Sequence, residues 1–209
     1  MFIVLEGIDG SGKSTLAKEM LEYLNNHSGP WKSKSIQLRE PTRVSRYGLE
    51  IRKILQDPNN FSEQKNEELL ELFMLDRKWD IKNNILPVVE KCNIIMDRYY
   101  YSTAAYQAKN NIQCIEIADT YFDDKEILQP DVIIYLRIEP QESINRINKR
   151  GESREAFENL KRLTTIKSNY EFLIGQPKYG DKTRTVSSQQ SSQDCLMQSI
   201  NQIIKNYHD

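Results

Sequence analysis

The residues that most clearly suggest chemistry lie near the start of the chain, in the stretch GIDGSGKS from Gly7 to Ser14. This stretch fits the pattern G-x-x-x-x-G-K-[ST] of the phosphate-binding loop (P-loop), and a glycine-rich turn without a ligand is the alternative interpretation. The glycines let the backbone present successive N–H groups to phosphate oxygens at the positive end of a helix. The predicted ATP-binding residues are Gly7, Ile8, Asp9, Gly10, Ser11, Gly12, Lys13, Ser14 and Thr15. Lys13 would reach the β- and γ-phosphates, and the Ser14 hydroxyl would ligate Mg²⁺.

A second pair of candidates follows the apolar run in NIIMDRYY. Asp97 stands at the carboxyl end of this predicted strand, where it is suited to hold Mg²⁺ directly or through water. Arg98 beside it can neutralise a phosphate. A surface ion pair is the alternative interpretation, but the position at the end of a buried strand favours a site.

The helix predicted after Arg98 has a polar face. Four of its residues carry a hydroxyl group and are spaced i, i+3, i+4 and i+7, so that they share one face. They are Tyr99, Ser102, Thr103 and Tyr106. This face favours a polar ligand over burial in the core.

Phe73 and Arg77 lie four residues apart on an earlier predicted helix. A ring for stacking and a planar fork of donors would together recognise a nucleobase. Burial of Phe73 in the core is the alternative, because it lies within the apolar string LLELFML.

Composition narrows the classes of protein. The net charge is −1, from 29 Lys and Arg against 30 Asp and Glu, so no global field would draw the chain onto nucleic acid or an anionic membrane. No apolar run approaches the roughly 18 residues that span a bilayer, and the first residues do not read as a signal peptide. Three scattered cysteines suit a reducing cytoplasm. Only His27 and His208 are present, so acid–base chemistry must depend on other residues.

Short apolar runs alternate with longer helical patterns along the chain. The predicted strands are Phe2–Leu5, Ser35–Arg39, Asn93–Asp97, Asp131–Arg137 and Arg184–Ser187. The predicted helices are Lys13–Asn26, Gly48–Gln56, Glu63–Glu90 with a kink near Pro87, Tyr99–Lys109, Gln141–Arg150, Glu155–Leu173 and Asp194–Tyr207. This alternation predicts an α/β fold, a five-stranded parallel sheet flanked by helices in a single domain of residues 1–209. Ligands of such a sheet bind at the carboxyl ends of its strands.

Taken together, these residues resemble the thymidylate kinase family, whose members transfer the γ-phosphoryl group of ATP to dTMP. The resemblance runs over most of the chain, through the strings FIVLEGIDGSGKST, REP, EIRKIL, ELFMLDR, DRYYYSTAAYQ and PDVIIYLRIEP. It implies a P-loop nucleotide kinase fold, ATP as co-substrate, Mg²⁺ as cofactor and dTMP as acceptor. It also implies a cytoplasmic homodimer without a nucleic-acid or membrane partner.

The resemblance implies roles for residues around the base and the sugar. Phe73 would stack on thymine, and Arg77 would bond its O4. Thr103 and Gln107 would line the base. Tyr106 would lie against the deoxyribose, where a 2′-hydroxyl would otherwise be.

At the phosphate end, the resemblance places Arg52 and Arg98 near the dTMP phosphate. Asp9 and Glu40 match acidic residues that position the acceptor sugar or the metal. The family's bacterial members commonly continue REP with G-G-T, whereas this chain reads TRVSRYG. This departure concerns the acceptor loop and leaves open a related kinase of different selectivity.

A second departure concerns the source of one catalytic charge. One branch of the family carries arginine where this chain has Gly10, and the other branch supplies the charge from a mobile lid. The lid candidate lies around residues 146–160 and contains the string KRGESR, in which Gly151 allows a bend. The predicted catalytic residues are Lys13, Asp9, Arg98, Arg150 and Arg154.

An acceptor phosphate is largely dianionic at pH 7 and needs no general base, which fits a chain with two histidines. Three alternatives stay open. The chain could phosphorylate another (deoxy)nucleoside monophosphate, or it could be a deoxynucleoside kinase with Glu40 as the base. The third alternative is an ATP-dependent switch without enzymatic function, which would bind no monophosphate tightly.

Overall fold

The computed structural model describes residues 1–32, 34–56, 62–150 and 159–208. Its centre is a five-stranded sheet with the strand order β2-β3-β1-β4-β5, and every pairing is parallel. The strands are β1 (Phe2–Glu6), β2 (Ser35–Arg39), β3 (Asn93–Asp97), β4 (Val132–Arg137) and β5 (Thr183–Ser187). The predicted parallel sheet of five strands is therefore confirmed.

Nine helices surround the sheet in the described part of the chain. They are α1 (Lys13–Asn26), α2 (Arg46–Leu55), α3 (Glu63–Asp80), α4 (Tyr100–Gln107), α5 (Asn111–Phe122), α6 (Pro140–Arg150), α7 (Leu160–Ile174), α8 (Pro177–Gly180) and α9 (Ser192–His208). None of the described helices is both long and apolar enough to cross a membrane.

The side chains of β1 divide the core into two layers. Every residue of this strand is buried, as expected of a central parallel strand covered on both faces. Phe2 and Val4 pack in one cluster with residues of α4, α5 and α7, whereas Ile3 and Leu5 pack in a second cluster with residues of α1 and α9. This burial fixes the edge of the sheet where β1 leads into the P-loop.

One predicted helix was too long, and two observed helices, α5 and the short α8, were not predicted. Regular α-helix ends at Asp80 instead of Glu90, because a single π-helical turn, Ile81–Ile85, follows it and the chain then turns towards β3. The helix Asn111–Phe122 was not predicted, although the side chain of Asn110 caps it by accepting a hydrogen bond from the backbone N–H of Gln113.

The other predicted elements agree with the observed ones to within two residues at each described end. Helix α2 begins at Arg46 instead of Gly48, because the Ser45 side chain caps it two residues earlier. The start predicted for the helix at Glu155 lies outside the described residues, which resume at Asn159, the cap of α7.

Candidate active site

The segment between β1 and α1 turns sharply at its glycines. Gly7, Gly10 and Gly12 have φ angles of 143°, 73° and 91°, in the region that favours glycine. A side chain at Gly10 would place its Cβ 2.8 Å from the carbonyl oxygen of Ser143 on α6. This position therefore cannot carry an arginine without a shift of α6.

The side chain of Lys13 folds back into the loop. Its Nζ donates hydrogen bonds to the carbonyl oxygens of Gly7 at 2.8 Å and Ile8 at 2.9 Å, and lies 3.3 Å from Ser11 Oγ. Burial, with the nearby charge of Arg98, lowers the pKa of Lys13 to about 7. A phosphate would offer this ammonium group stronger, charged acceptors than the neutral oxygens that it now contacts.

Ser14 and Asp97 meet beside the loop. Ser14 Oγ donates to Asp97 Oδ2 at 2.8 Å, while Asp97 Oδ1 is buried and has no partner among the described residues. Hydroxyl and carboxylate oxygens are the ligands that Mg²⁺ prefers, and an unpaired buried carboxylate oxygen suits a cation. The described residues hold no group of three or more His, Cys, Asp or Glu that could bind a metal. A magnesium ion here would thus take its remaining ligands from water and phosphate, as Mg²⁺ usually does.

A cleft of about 440 Å³ opens beside Asp9 and Ser14. Seven of the eight predicted substrate residues line it: Glu40, Arg52, Phe73, Arg98, Thr103, Tyr106 and Gln107. The eighth, Arg77, lies buried behind the wall of the cleft. A larger, more open groove of about 630 Å³ runs between α6 and α7, but it contains none of the predicted site residues.

Asp9, Arg98 and Tyr106 form a closed hydrogen-bonded triangle on one wall of the cleft. Arg98 Nη2 forms an ion pair with Asp9 Oδ1 and lies 3.2 Å from the Tyr106 hydroxyl, which donates to Asp9 Oδ2 at 2.8 Å. Burial alone would raise the pKa of Asp9, but Arg98 and Lys13 more than offset it and the pKa is lowered. Asp9 is therefore ionised at neutral pH.

Arg98 has the only positive φ angle, 73°, among the described non-glycine residues. Its Nη1 donates to Ser102 Oγ at 3.1 Å, and Ser102 in turn donates to the buried carboxylate of Glu6 at 2.5 Å. Backbone strain of this kind persists only where neighbours fix the residue, and it is common at functional sites.

Arg77 is fully buried and pairs with Glu40. Its Nε donates to the two carboxylate oxygens at 3.0 and 3.2 Å, Nη2 also donates to Glu40, and Nη2 lies 3.0 Å from Thr103 Oγ1. The guanidinium carbon is 4.9 and 4.5 Å from the ring centroids of Tyr99 and Tyr121. Burial lowers the pKa of Arg77, but Glu40 outweighs it and keeps the group charged. Its Nη1 is buried without a partner among the described residues.

All four residues of the predicted hydroxyl face, Tyr99, Ser102, Thr103 and Tyr106, line the cleft, but the prediction that Tyr99 lies on the helix was wrong. Helix α4 begins only at Tyr100, and Tyr99 precedes it in extended conformation, so its hydroxyl donates to the carbonyl of Leu128 at 2.9 Å. Thr103 and Tyr106 contact Arg77 and Asp9, as described above. Gln107, at the end of α4, lines the cleft with a side-chain oxygen that is buried and unpaired among the described residues.

Two arginines of the cleft, Arg39 and Arg43, are not among the predicted site residues. A signal for Arg39 was available in the sequence, because it ends a predicted strand and ligands bind at that end of a parallel sheet. In the structure it pairs in register with Asp97. With Arg52 and Arg98 they bring four arginines to the cleft. Such a set suits a dianionic phosphate.

A smaller cavity of about 260 Å³ lies on the other side of the P-loop and was also missed. Its wall includes Gly12, Thr15, Leu136, Arg146, Ser188 and Gln190. Arg146 donates to Ser188 Oγ at 3.0 Å, and Ser188 Oγ donates to the carbonyl oxygen of Ser11 at 2.6 Å. The cavity is thus joined to the P-loop by hydrogen bonds.

Most of the predicted lid lies outside the residues that the structure describes. Arg150 is the last residue of α6, and Arg154 lies in the segment 151–158, which the structure does not describe.

Comparison with known proteins gives consistent results. The protein-family model described as thymidylate kinase matches residues 5–200. The thymidylate kinase of Leptospira interrogans is 38% identical over 175 residues, which cover 83% of this chain and 81% of that protein. The probable thymidylate kinase of Archaeoglobus fulgidus is 34% identical over 170 residues, covering 80% and 79%.

A solved structure has the same fold. The thymidylate kinase from Candida albicans matches with a TM-score of 0.74 and 24% identity, covering 99% of this chain and 92% of its own. The family model and the curated relatives carry the assignment of the family, because they match the sequence over most of its length. The chain belongs to the thymidylate kinase family.

Proposed function

We propose that the cleft holds the acceptor of the family's reaction and that the P-loop holds the donor. A thymidylate kinase transfers the γ-phosphoryl group of ATP to dTMP and releases ADP and dTDP, and this chain catalyses that reaction. The cleft is assigned to the acceptor because of the residues that line it. It combines four arginines with the aromatic ring of Phe73 and opens next to Ser14 of the P-loop.

The base would lie against Phe73. Thymine presents an N3–H donor beside its O4 acceptor. The cleft has an unpaired buried acceptor in Gln107 Oε1, and Arg77 Nη1 behind it is an unpaired buried donor. Buried polar atoms without partners are costly, so a base that satisfies both would bind favourably.

The sugar would lie against Tyr106. The Tyr106 hydroxyl is held by Asp9 and Arg98, so the Tyr106 ring has little freedom to move aside for a 2′-hydroxyl of the sugar. This arrangement supports a preference for deoxyribose.

The phosphate chemistry would depend on charge neutralisation. A dianionic acceptor phosphate attacks without a general base, and the main barrier is repulsion between two anionic groups. Arg52 and Arg98 would bind the acceptor phosphate. Lys13 would leave its carbonyl acceptors and bind the β- and γ-phosphates of ATP. Ser14 and Asp97 would hold Mg²⁺, which neutralises phosphate charge when bound.

The nucleoside of ATP would occupy the cavity of about 260 Å³ on the other side of the P-loop. Arg146 offers a flat guanidinium group for stacking on a base, and it is held in place by Ser188. This position leaves the triphosphate to cross the P-loop towards the cleft.

The remaining positive charge would come from a lid around residues 146–160, through Arg150 or Arg154. The close contact of Gly10 with Ser143 supports this source, since an arginine cannot stand at Gly10 itself. We propose further that residues 1–209 form one domain, because the sheet spans Phe2 to Ser187 and α9 packs back against α1.

We also propose a homodimer in the cytoplasm. Leu75 on α3 and Leu86 after the π-helical turn are apolar and 40% and 54% exposed, and a second copy would cover such side chains. The three cysteines are all free and buried, as suits a reducing compartment.

A deoxynucleoside kinase is the alternative that shares most of these features. It would need a carboxylate base, but the carboxylate of Glu40 is taken up by Arg77. The test uses ATP labelled in its γ-phosphate, with dTMP or with thymidine, and separates the products by chromatography. With dTMP as the acceptor, we expect labelled dTDP. With thymidine as the acceptor, we expect no labelled dTMP. Labelled dTMP formed from thymidine would contradict the proposal.

A further inference from the structure

Asp76 is a buried carboxylate on α3 that does not line the cleft. It is only 1% exposed, and all its described hydrogen bonds come from one loop. Asp76 Oδ2 accepts from the backbone N–H of Thr42 at 2.8 Å. Oδ1 accepts from the Thr42 hydroxyl at 2.6 Å and from the Ser45 hydroxyl. One side chain thus takes three donors from the segment that joins β2 to α2.

The loop held by Asp76 contacts Arg52 of the cleft. Arg52 Nε donates to the carbonyl oxygen of Thr42 at 3.3 Å, and Nη2 donates to that of Pro41. Ser45 Oγ also accepts from the backbone N–H of Gly48 at 2.9 Å and so caps the helix that carries Arg52. The position of Arg52 therefore depends on this loop in two ways, through the contacts of its guanidinium group and through the cap of the helix that carries it.

The neighbouring residue of α3 holds the other end of the same loop. Arg77 binds Glu40, while Asp76 binds Thr42 and Ser45. Two consecutive side chains of one rigid helix therefore fix the segment 40–45. The loop also lies close to α2, because a side chain at Gly48 would collide with the carbonyl oxygen of Thr42.

We propose that Asp76 is a positioning residue for the phosphate of the acceptor. By holding Thr42 and Ser45 it fixes the loop whose carbonyl oxygens orient Arg52, so that the guanidinium group meets the phosphate without rearrangement. The inference rests on the proposed function, which assigns the phosphate to Arg52. Loss of the Asp76 carboxylate is expected to weaken binding of the phosphate and to leave binding of the base unchanged.

The test compares the dissociation constants of dTMP and thymidine, which differ only in the phosphate. Asp76→Asn keeps the size of the side chain but replaces one acceptor oxygen by an NH₂ group that cannot accept from Thr42 or Ser45. Calorimetric titration without ATP should show dTMP bound at least fivefold more weakly than by the wild type. The dissociation constants of thymidine and ATP should change less than twofold.

Asp80→Asn is the matched control. Asp80 is also 1% exposed, lies one turn further along the chain, and accepts at 2.5 Å from Asn84. Asp80 accepts none of the described hydrogen bonds of the loop. The dissociation constants of dTMP and thymidine should therefore stay within twofold of the wild type.

A variant on the loop side makes the test independent of the folding of Asp76→Asn. Thr42→Val removes the hydrogen bond from the Thr42 hydroxyl to Asp76, and the longer one that this hydroxyl accepts from the Ser45 backbone N–H, without altering α3. It should also weaken the binding of dTMP more than that of thymidine. The losses in the double variant should be less than additive, because the hydrogen bond from the Thr42 hydroxyl to Asp76 is common to both changes.

Two results would overturn the inference. Asp76→Asn and Thr42→Val could both leave the dissociation constants of dTMP and thymidine unchanged, or they could weaken the binding of both ligands by the same factor. A different result would overturn the proposed function instead: a wild-type protein that binds thymidine as tightly as dTMP has no phosphate site in the cleft.

Discussion

Tyr106 contributes two separable groups to the cleft, a hydroxyl and a ring. The hydroxyl completes the triangle with Asp9 and Arg98, and the ring forms part of the wall. The triangle involves charged groups in a partly buried site, where a hydrogen bond to a charged partner contributes about 1.5–3 kcal/mol. The ring acts by its volume alone.

The two groups can be separated by paired substitutions. Tyr106→Phe should lower kcat/KM for dTMP about tenfold, from the range above, while keeping the preference for dTMP over ribothymidine 5′-monophosphate. Tyr106→Ala should lower that preference as well. Steady-state kinetics with both nucleotides measures the two effects. If the wild type uses both sugars equally, Tyr106 does not close the 2′ side.

Helix α3 acts as one rigid support through Arg77. From the sequence, Arg77 is expected only to contact the base. The structure adds a buried ion pair with Glu40, which joins α3 to the segment after β2. Removal of one partner of such a pair leaves an uncompensated charge, which commonly costs about 3–5 kcal/mol. A loss of activity in a variant of Arg77 would therefore combine two causes.

A double-variant cycle separates these causes. Arg77→Met should lower the free energy of unfolding by about 3–5 kcal/mol, because Glu40 remains buried without its partner. Adding Glu40→Gln should restore part of this stability but none of the affinity for dTMP. Urea denaturation without ligand measures the first effect, and titration with dTMP measures the second. Strictly additive losses of stability would show that the two side chains do not depend on each other.

Elements with a strong local signal were predictable. The strands read as short apolar runs, and α1 was predicted with its observed bounds because a glycine loop precedes it and apolar residues follow at helical spacing. The helix after Asn110 had a comparable signal, a capping residue followed by apolar residues at helical spacing, and it was overlooked. The π-helical turn after Asp80 had no clear local signal, since it forms where the chain leaves α3 for β3.

At the scale of the whole molecule, composition gave little information about the site. A net charge of −1 coexists with a cleft lined by four arginines, because the fold brings residues from β2, α2 and the end of β3 to one edge of the sheet. Glu40 and Arg77 are 37 residues apart, and Asp9 and Tyr106 are 97 apart. Pairings over such distances require the tertiary structure, whereas the types of residue at the site were readable from motifs.

The central claim is that the cleft selects dTMP as acceptor for the γ-phosphoryl group of ATP. Release of ADP, measured in a coupled assay with Mg²⁺ and a panel of dTMP, dUMP, dCMP, dGMP and AMP, tests this claim most directly. We expect ADP release to depend on the acceptor and kcat/KM to be highest for dTMP, by at least tenfold over each nucleotide with a different base. A higher kcat/KM for another monophosphate, or ADP release at the same rate without any acceptor, would contradict the account.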